Sequence, residues 1–166
     1  MKETSSVLNT STKRIVFSAL IIAAYLSLMA VTASFAFGSI QIRIATALYA
    51  LSYLFPFLVF PLGLANMLSN LLLGSLGMID VLGGFIVGIL TSLLVYAIRK
   101  LKLPEILIVL PIILVPGLGI PTYLHQLLQV PYWPLAISLL LGQTAPAILG
   151  YFFVKALKKR KEIYHD

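Results

Sequence analysis

The sequence predicts an all-α integral membrane protein: a bundle of six transmembrane helices with both termini in the cytoplasm. Three observations lead there. Of 166 residues, 60% are hydrophobic and the mean hydropathy is +1.04. Charged residues make up only 10%, against about a quarter in a soluble domain. That is too few to clothe a water-facing surface. Finally, the 12 basic residues, against five acidic ones, fall in short clusters between long apolar runs. The net charge of +7 is therefore a mark of membrane topology rather than of affinity for nucleic acid. Soluble, fibrous and disordered classes are excluded. With no cysteine, disulfide and thiol chemistry are absent.

A span needs roughly 20 apolar residues. The first run is Ile15 to Ala33, behind Lys13 and Arg14. It is too long for a signal-peptide core and more spans follow, so Ser34-Phe35-Ala36 is not read as a cleavage site. The second run is Ile44 to Phe60, ended by Pro61. The third begins at Leu62 and fades at Gly74 and Gly77. The fourth runs from Val81 to Ile98 and stops at Arg99, Lys100 and Lys102. The fifth follows Pro104, a favoured residue for a first helical turn, and breaks up near Pro116, Gly117, Gly119 and Pro121. The sixth runs from Pro134 to Val154. Residues 1–14 form a cytoplasmic segment, residues 15–154 the membrane domain and residues 155–166 a basic cytoplasmic tail.

The charges test this count. With six spans, 11 of the 12 basic residues fall on one side and only Arg43 lies opposite. That bias predicts cytoplasmic termini.

The cytoplasmic side offers basic clusters alone, so the informative polar groups lie toward the outside. Gln41 and Arg43 lead into the second helix. Asn66 and Asn70, one turn apart, are on the third. Asp80 opens the fourth. His125, Gln126 and Gln129 lie between the fifth and sixth, followed by Tyr132 and Trp133. Gln143 and Thr144 are midway along the sixth. Polar groups in lipid are costly unless paired or lining a cavity. An outward-facing cavity with donors, acceptors and rings would suit a planar polar ligand.

Each residue has a plainer reading too. Asp80 can be a helix N-cap. Asn66 and Asn70 can be interhelical glue. Arg43 can snorkel to headgroups. Tyr132 and Trp133 can be an interfacial belt. Glu105 suits the dipole of a first turn and is taken as structural. Gly84 and Gly88 form a small-xxx-small packing face. Convergence on one side is what favours a ligand site.

Catalysis is not expected. No phosphate-binding loop, metalloprotease motif, nucleophile elbow or paired carboxylates occur. His125 has no metal-spaced partner, so neither a metal nor another cofactor is expected.

Several pieces carry a family resemblance. Phe37-Gly38-Ser39-Ile40-Gln41-Ile42-Arg43, Ala65-Asn66 with Asn70-Leu71, Gly77-Met78-Ile79-Asp80-Val81-Leu82-Gly83-Gly84, and Pro131-Tyr132-Trp133 followed by Gly142 resemble the QueT family. The resemblance covers most of the chain. QueT-like proteins are substrate-binding S components of energy-coupling factor (ECF) importers, a class of ABC transporter, implicated in uptake of queuosine precursors. It implies a prokaryotic plasma membrane location and no engine within the chain. A transmembrane coupling subunit and two cytoplasmic ATPases would be partners, and the S component would topple in the bilayer. It also implies that Ala19 and Ala23, an Ala-x-x-x-Ala pair on the first helix, meet the coupling subunit. Two small side chains one turn apart let another helix approach closely.

The sequence departs from the family at two places. Ala45-Thr46 stands where QueT-like chains often have Ser-Glu, and Gly142-Gln143 where they often have Gly-Glu. The resemblance then implies a neutral deazapurine rather than the aminomethyl form. Candidate binding residues are Gln41, Arg43, Asn70, Asp80, His125, Gln129, Tyr132, Trp133 and Gln143. The alternatives are a self-sufficient small-molecule carrier or channel, or an S component for a different vitamin-like ligand.

Overall fold

Apolar runs of this length must satisfy their backbone groups internally, and among the described residues they do so in helices joined by short turns. The computed structural model describes residues 11–36, 42–74 and 76–163. Among them there is no strand. The α-helices are α1 (Ser11–Val31), α2 (Ala33–Ala36), α3 (Val59–Leu73), α4 (Met78–Lys100), α5 (Val109–Gly119), α6 (Pro121–Leu128) and α7 (Tyr132–Ile163). Three 3-10 helices interleave with them: Ile44–Tyr53, Pro56–Leu58 and Glu105–Ile108.

Five continuous helical stretches among the described residues are long and apolar enough to cross a bilayer: Ser11–Val31, Pro56–Leu73, Met78–Lys100, Glu105–Leu128 and Tyr132–Lys159. Six were expected, and the difference lies in the second. Ile44 to Phe60 is not one helix. It is a 10-residue 3-10 helix, Ile44–Tyr53, a turn at Leu54 and Phe55, and then the start of the next stretch. Pro61 does not end a helix. It sits in the first turn of α3, where a missing N–H costs nothing.

The 3-10 form follows from a polar period of three. Arg43, Thr46, Tyr49 and Ser52 are all buried. At three residues per turn they stack on one face, whereas an α-helix would fan them out. Two of them reinforce the register. Thr46 Oγ1 donates to the Arg43 carbonyl at 2.7 Å and Ser52 Oγ to the Tyr49 carbonyl at 2.6 Å, both three residues back. A 3-10 helix rises ~2.0 Å per residue, so this leg reaches ~20 Å where an α-helix would reach ~15 Å.

This polar ladder runs down the bundle. Tyr49 meets Tyr25 of α1, hydroxyl to hydroxyl, at 3.3 Å. Ser52 Oγ also approaches the Ser92 carbonyl of α4 at 2.9 Å. Around it Tyr25, Met29, Leu58, Leu62, Ile108 and Ile112 form the larger apolar core. The glycines set the α3–α4 spacing: a Cβ on Gly88 would stand 2.9 Å from the Gly63 Cα. The small-xxx-small reading of Gly84 and Gly88 is thereby borne out.

The two ends of the bundle differ in chemistry. At one end Arg14 lies over the Phe57 ring, and Lys155 over Tyr151. Arg99 donates to the carbonyls of Tyr53 and Leu54, at 2.9 and 2.8 Å. Lys158 pairs with Glu105. The Arg99 contact closes the C-terminal end of the Ile44–Tyr53 helix, whose last carbonyls lack partners within it. Glu105 stands in the first turn of its 3-10 helix. Arg43 and Asp80 occupy the other end.

Candidate functional site

Arg43 precedes the first turn of the Ile44–Tyr53 helix and is 2% exposed. Its Nη1 donates to Asn66 Oδ1 at 3.3 Å and Asn70 Oδ1 at 3.1 Å. Their one-turn spacing on α3 presents both acceptors to a single guanidinium. The amide nitrogens then reach α4: Asn66 Nδ2 donates to the Gly84 carbonyl at 2.8 Å, Asn70 Nδ2 to the Asp80 carbonyl at 3.0 Å. Gly84 makes room, since a Cβ there would lie 2.5 Å from Asn70 Nδ2. Asn66 and Asn70 are therefore interhelical connectors that also hold the charged group of the site.

Asp80 is buried, at 2% exposure, in the first turn of α4. It does not cap the helix. The N-cap is Gly77, whose φ of 84° favours glycine. The carboxylate instead turns sideways, and Oδ1 accepts from the Tyr123 hydroxyl at 3.3 Å. The Tyr123 ring packs over Gly83, where a Cβ would come within 2.6 Å of two ring carbons.

Gln143 is fully buried on α7. Its Oε1 lies 2.7 Å from Thr46 Oγ1, and its Nε2 has no partner among the described residues. Thr46 and Gln143, 97 residues apart, are thus in direct contact.

The remaining predicted residues form a second group. His125 and Tyr132 meet edge to face, with ring centroids 6.0 Å apart, and Tyr132 and Trp133 meet likewise at 5.3 Å. Tyr132 donates to the Leu118 carbonyl at 3.1 Å. Trp133 is 68% exposed, which suits an interfacial belt. Gln129 is exposed, ends α6 in the left-handed conformation and donates to the Gln126 carbonyl. Gln41 lies outside the described residues.

An open groove of about 550 Å³ runs along the flank of the bundle between α4 and the α5–α6 arm, and Ile86 and Leu90 in its lining are exposed at the surface. Its walls are apolar, including Ile86, Val87, Leu90 and Val115, and its rim carries Thr122, Tyr123 and Tyr132. The expectation was an outward-facing cavity lined by donors, acceptors and aromatic rings. Here the polar cluster and the open space are adjacent, with Tyr123 between them.

Sequence reasoning missed Tyr123 and Ser52, and marked Thr46 as a departure from the family without placing it at the site. A period-three signal through Arg43, Thr46, Tyr49 and Ser52 was present for two of them. Tyr123 had no such signal, because its meaning depends on Gly83, in a different helix.

A model of the QueT transporter family matches residues 15–159. The chain belongs to the QueT transporter family. No curated protein and no solved structure matches significantly. The QueT match takes in the short 3-10 leg, the polar cluster and every long helix. Family and helices together make this a multi-pass membrane transporter for a small molecule, and not an enzyme.

Proposed function

We propose that this chain is the substrate-binding S component of an ECF-type importer, capturing a queuosine precursor or related neutral deazapurine from outside the cell. The observation that carries this reading is the buried cluster of Arg43, Asn66, Asn70, Asp80 and Tyr123 at the end of the bundle away from Arg99 and Lys158. Basic residues favour the cytoplasmic side, so the cluster faces outward and both termini face inward. The short Ile44–Tyr53 leg is then the sixth crossing.

The capture site is the cluster together with the neighbouring groove. Asp80 and Gln143 bind the ligand edge, Arg43 holds the cluster in place, and Tyr132 and Trp133 border the mouth. Energy comes from a coupling subunit and two ATPases. Ala19 and Ala23 are exposed on α1, a helix with only Tyr25 and Met29 fully buried, which leaves its small-residue face open to a partner helix.

Purification tests the reading. A stable complex with ATPase subunits, and a deazapurine identified in it by mass spectrometry, are expected. Uptake by the chain alone in proteoliposomes would contradict it.

A further inference from the structure

A 3-10 helix seldom runs beyond roughly three or four residues, because its hydrogen bonds are poorly aligned and side chains three apart eclipse. The Ile44–Tyr53 leg keeps that form for 10 residues within the core of the bundle. Backbone preference alone does not hold it there, and both of its ends are gripped by arginine. At one end the guanidinium of Arg43 is bound to Asn66 and Asn70 of α3. At the other, Arg99 of α4 donates to the Tyr53 and Leu54 carbonyls at 2.9 and 2.8 Å. The Tyr53 carbonyl would look three residues on for its donor, and that residue is Pro56, which has no N–H. Arg99 supplies what the chain itself withholds.

Two observations put an α-helical register within reach of the same residues. The Leu51 carbonyl accepts from Leu54 N at 3.0 Å, three residues on, and from Phe55 N at 2.8 Å, four residues on. Both registers therefore meet in the last turn. The present register also leaves polar atoms unmet on both flanking helices. Among the described residues, Gln143 Nε2 on α7 and Ser92 Oγ on α4 have no partner. Each of these residues touches the leg through its other polar atom, Gln143 Oε1 at Thr46 and the Ser92 carbonyl at Ser52. Buried groups left unmet are costly, so the 3-10 form does not satisfy its surroundings fully.

We propose that the leg is held extended by its two arginine clamps, and that release of Arg99 lets it wind into an α-helix. The rise per residue falls from ~2.0 to ~1.5 Å, which shortens the leg by ~5 Å. Each residue also turns about 20° less, so Arg43, Thr46, Tyr49 and Ser52 no longer share one face. Arg99 is thus a positioning residue. From the far end of the bundle it fixes the register that aims Thr46 at Gln143 and Arg43 at Asn66 and Asn70. An event at the Arg99 end is felt at the Arg43 end without movement of the long helices.

Nuclear Overhauser contacts in the purified full chain, in detergent micelles, test this. Contacts from an α-proton to the amide proton two residues on mark a 3-10 helix, and those four residues on mark an α-helix. The wild type should show only the first kind from Ala45 to Ala50. Arg99→Ala should gain the second kind, Ala45 to Tyr49 and Thr46 to Ala50, while the contacts within α4 and α7 stay unchanged. Arg99→Lys, which can still donate to the two carbonyls, and Lys100→Ala, an exposed neighbour, should keep the wild-type pattern. A 3-10 pattern retained in Arg99→Ala overturns the inference, as does an α pattern in the wild type. Should Arg99→Ala not fold, Ser52→Ala decides in the same sense, because it removes a hydroxyl that reinforces the three-residue register.

Discussion

Thr46 Oγ1 lies 2.7 Å from Gln143 Oε1 and 2.7 Å from the Arg43 carbonyl. A hydroxyl has one proton, so it serves one acceptor at a time. Gln143 Nε2 meanwhile has no partner among the described residues. Gln143→Leu removes that buried amide and is expected to leave ligand-free stability unchanged or raised. Thr46→Val strips Gln143 of its contact and costs about 1–3 kcal/mol. The double variant loses less than the two single effects combined. Thermal unfolding of the four proteins in detergent measures the cycle.

Arg43 links three helical segments through Asn66 and Asn70. Arg43→Met leaves the amide oxygens of Asn66 and Asn70 without their shared donor. A loss of about 2–5 kcal/mol is expected, because a buried acceptor left unsatisfied costs about 1–3 kcal/mol. Arg43→Lys recovers only part of it, because a point-charge ammonium does not reproduce the guanidinium geometry. Denaturant unfolding in mixed micelles distinguishes the three proteins.

The α3–α4 crossing depends on glycine backbone. A methyl on Gly88 would meet the Gly63 Cα at 2.9 Å, and no rotamer relieves a backbone contact. Gly88→Ala should destabilise by about 1–3 kcal/mol. A methyl on Gly119 would approach only the end of the Val87 side chain, at 3.3 Å, so Gly119→Ala should cost less. Comparing the two melting temperatures checks this.

Much of the architecture was legible before any coordinates. Lys13, Arg14 and the cluster from Arg99 to Lys102 mark helix ends because charges avoid lipid, and the described ones do stand at the ends of α1 and α4. Asn70, Asp80, Arg43 and Gln143 were legible as costly polar groups in apolar surroundings, and all four are buried. The apolar run from Ile44 to Phe60 suggests an α-helix, and only the period-three spacing of Arg43, Thr46, Tyr49 and Ser52 within it carries the 3-10 register of Ile44–Tyr53. The break at Leu54–Phe55 was hidden behind the more conspicuous Pro61. The fifth run was expected to break up near Pro116, Gly117, Gly119 and Pro121, yet α5 continues through Pro116 and Pro121 begins α6. The grouping of His125, Tyr132 and Trp133 apart from Asp80 is a property of how α6 packs, which no local pattern encodes.

The central claim is that the ligand site lies at the Asp80 end of the bundle and not at the Glu105 end. Titration of purified Asp80→Ala and Glu105→Ala with 7-deazaguanine tests it most directly. Asp80→Ala should weaken binding roughly 10- to 100-fold. Glu105→Ala loses only a partly exposed ion pair with Lys158, a contribution of at most ~1 kcal/mol to stability, and should leave affinity unchanged. Equal losses in the two variants would contradict the account.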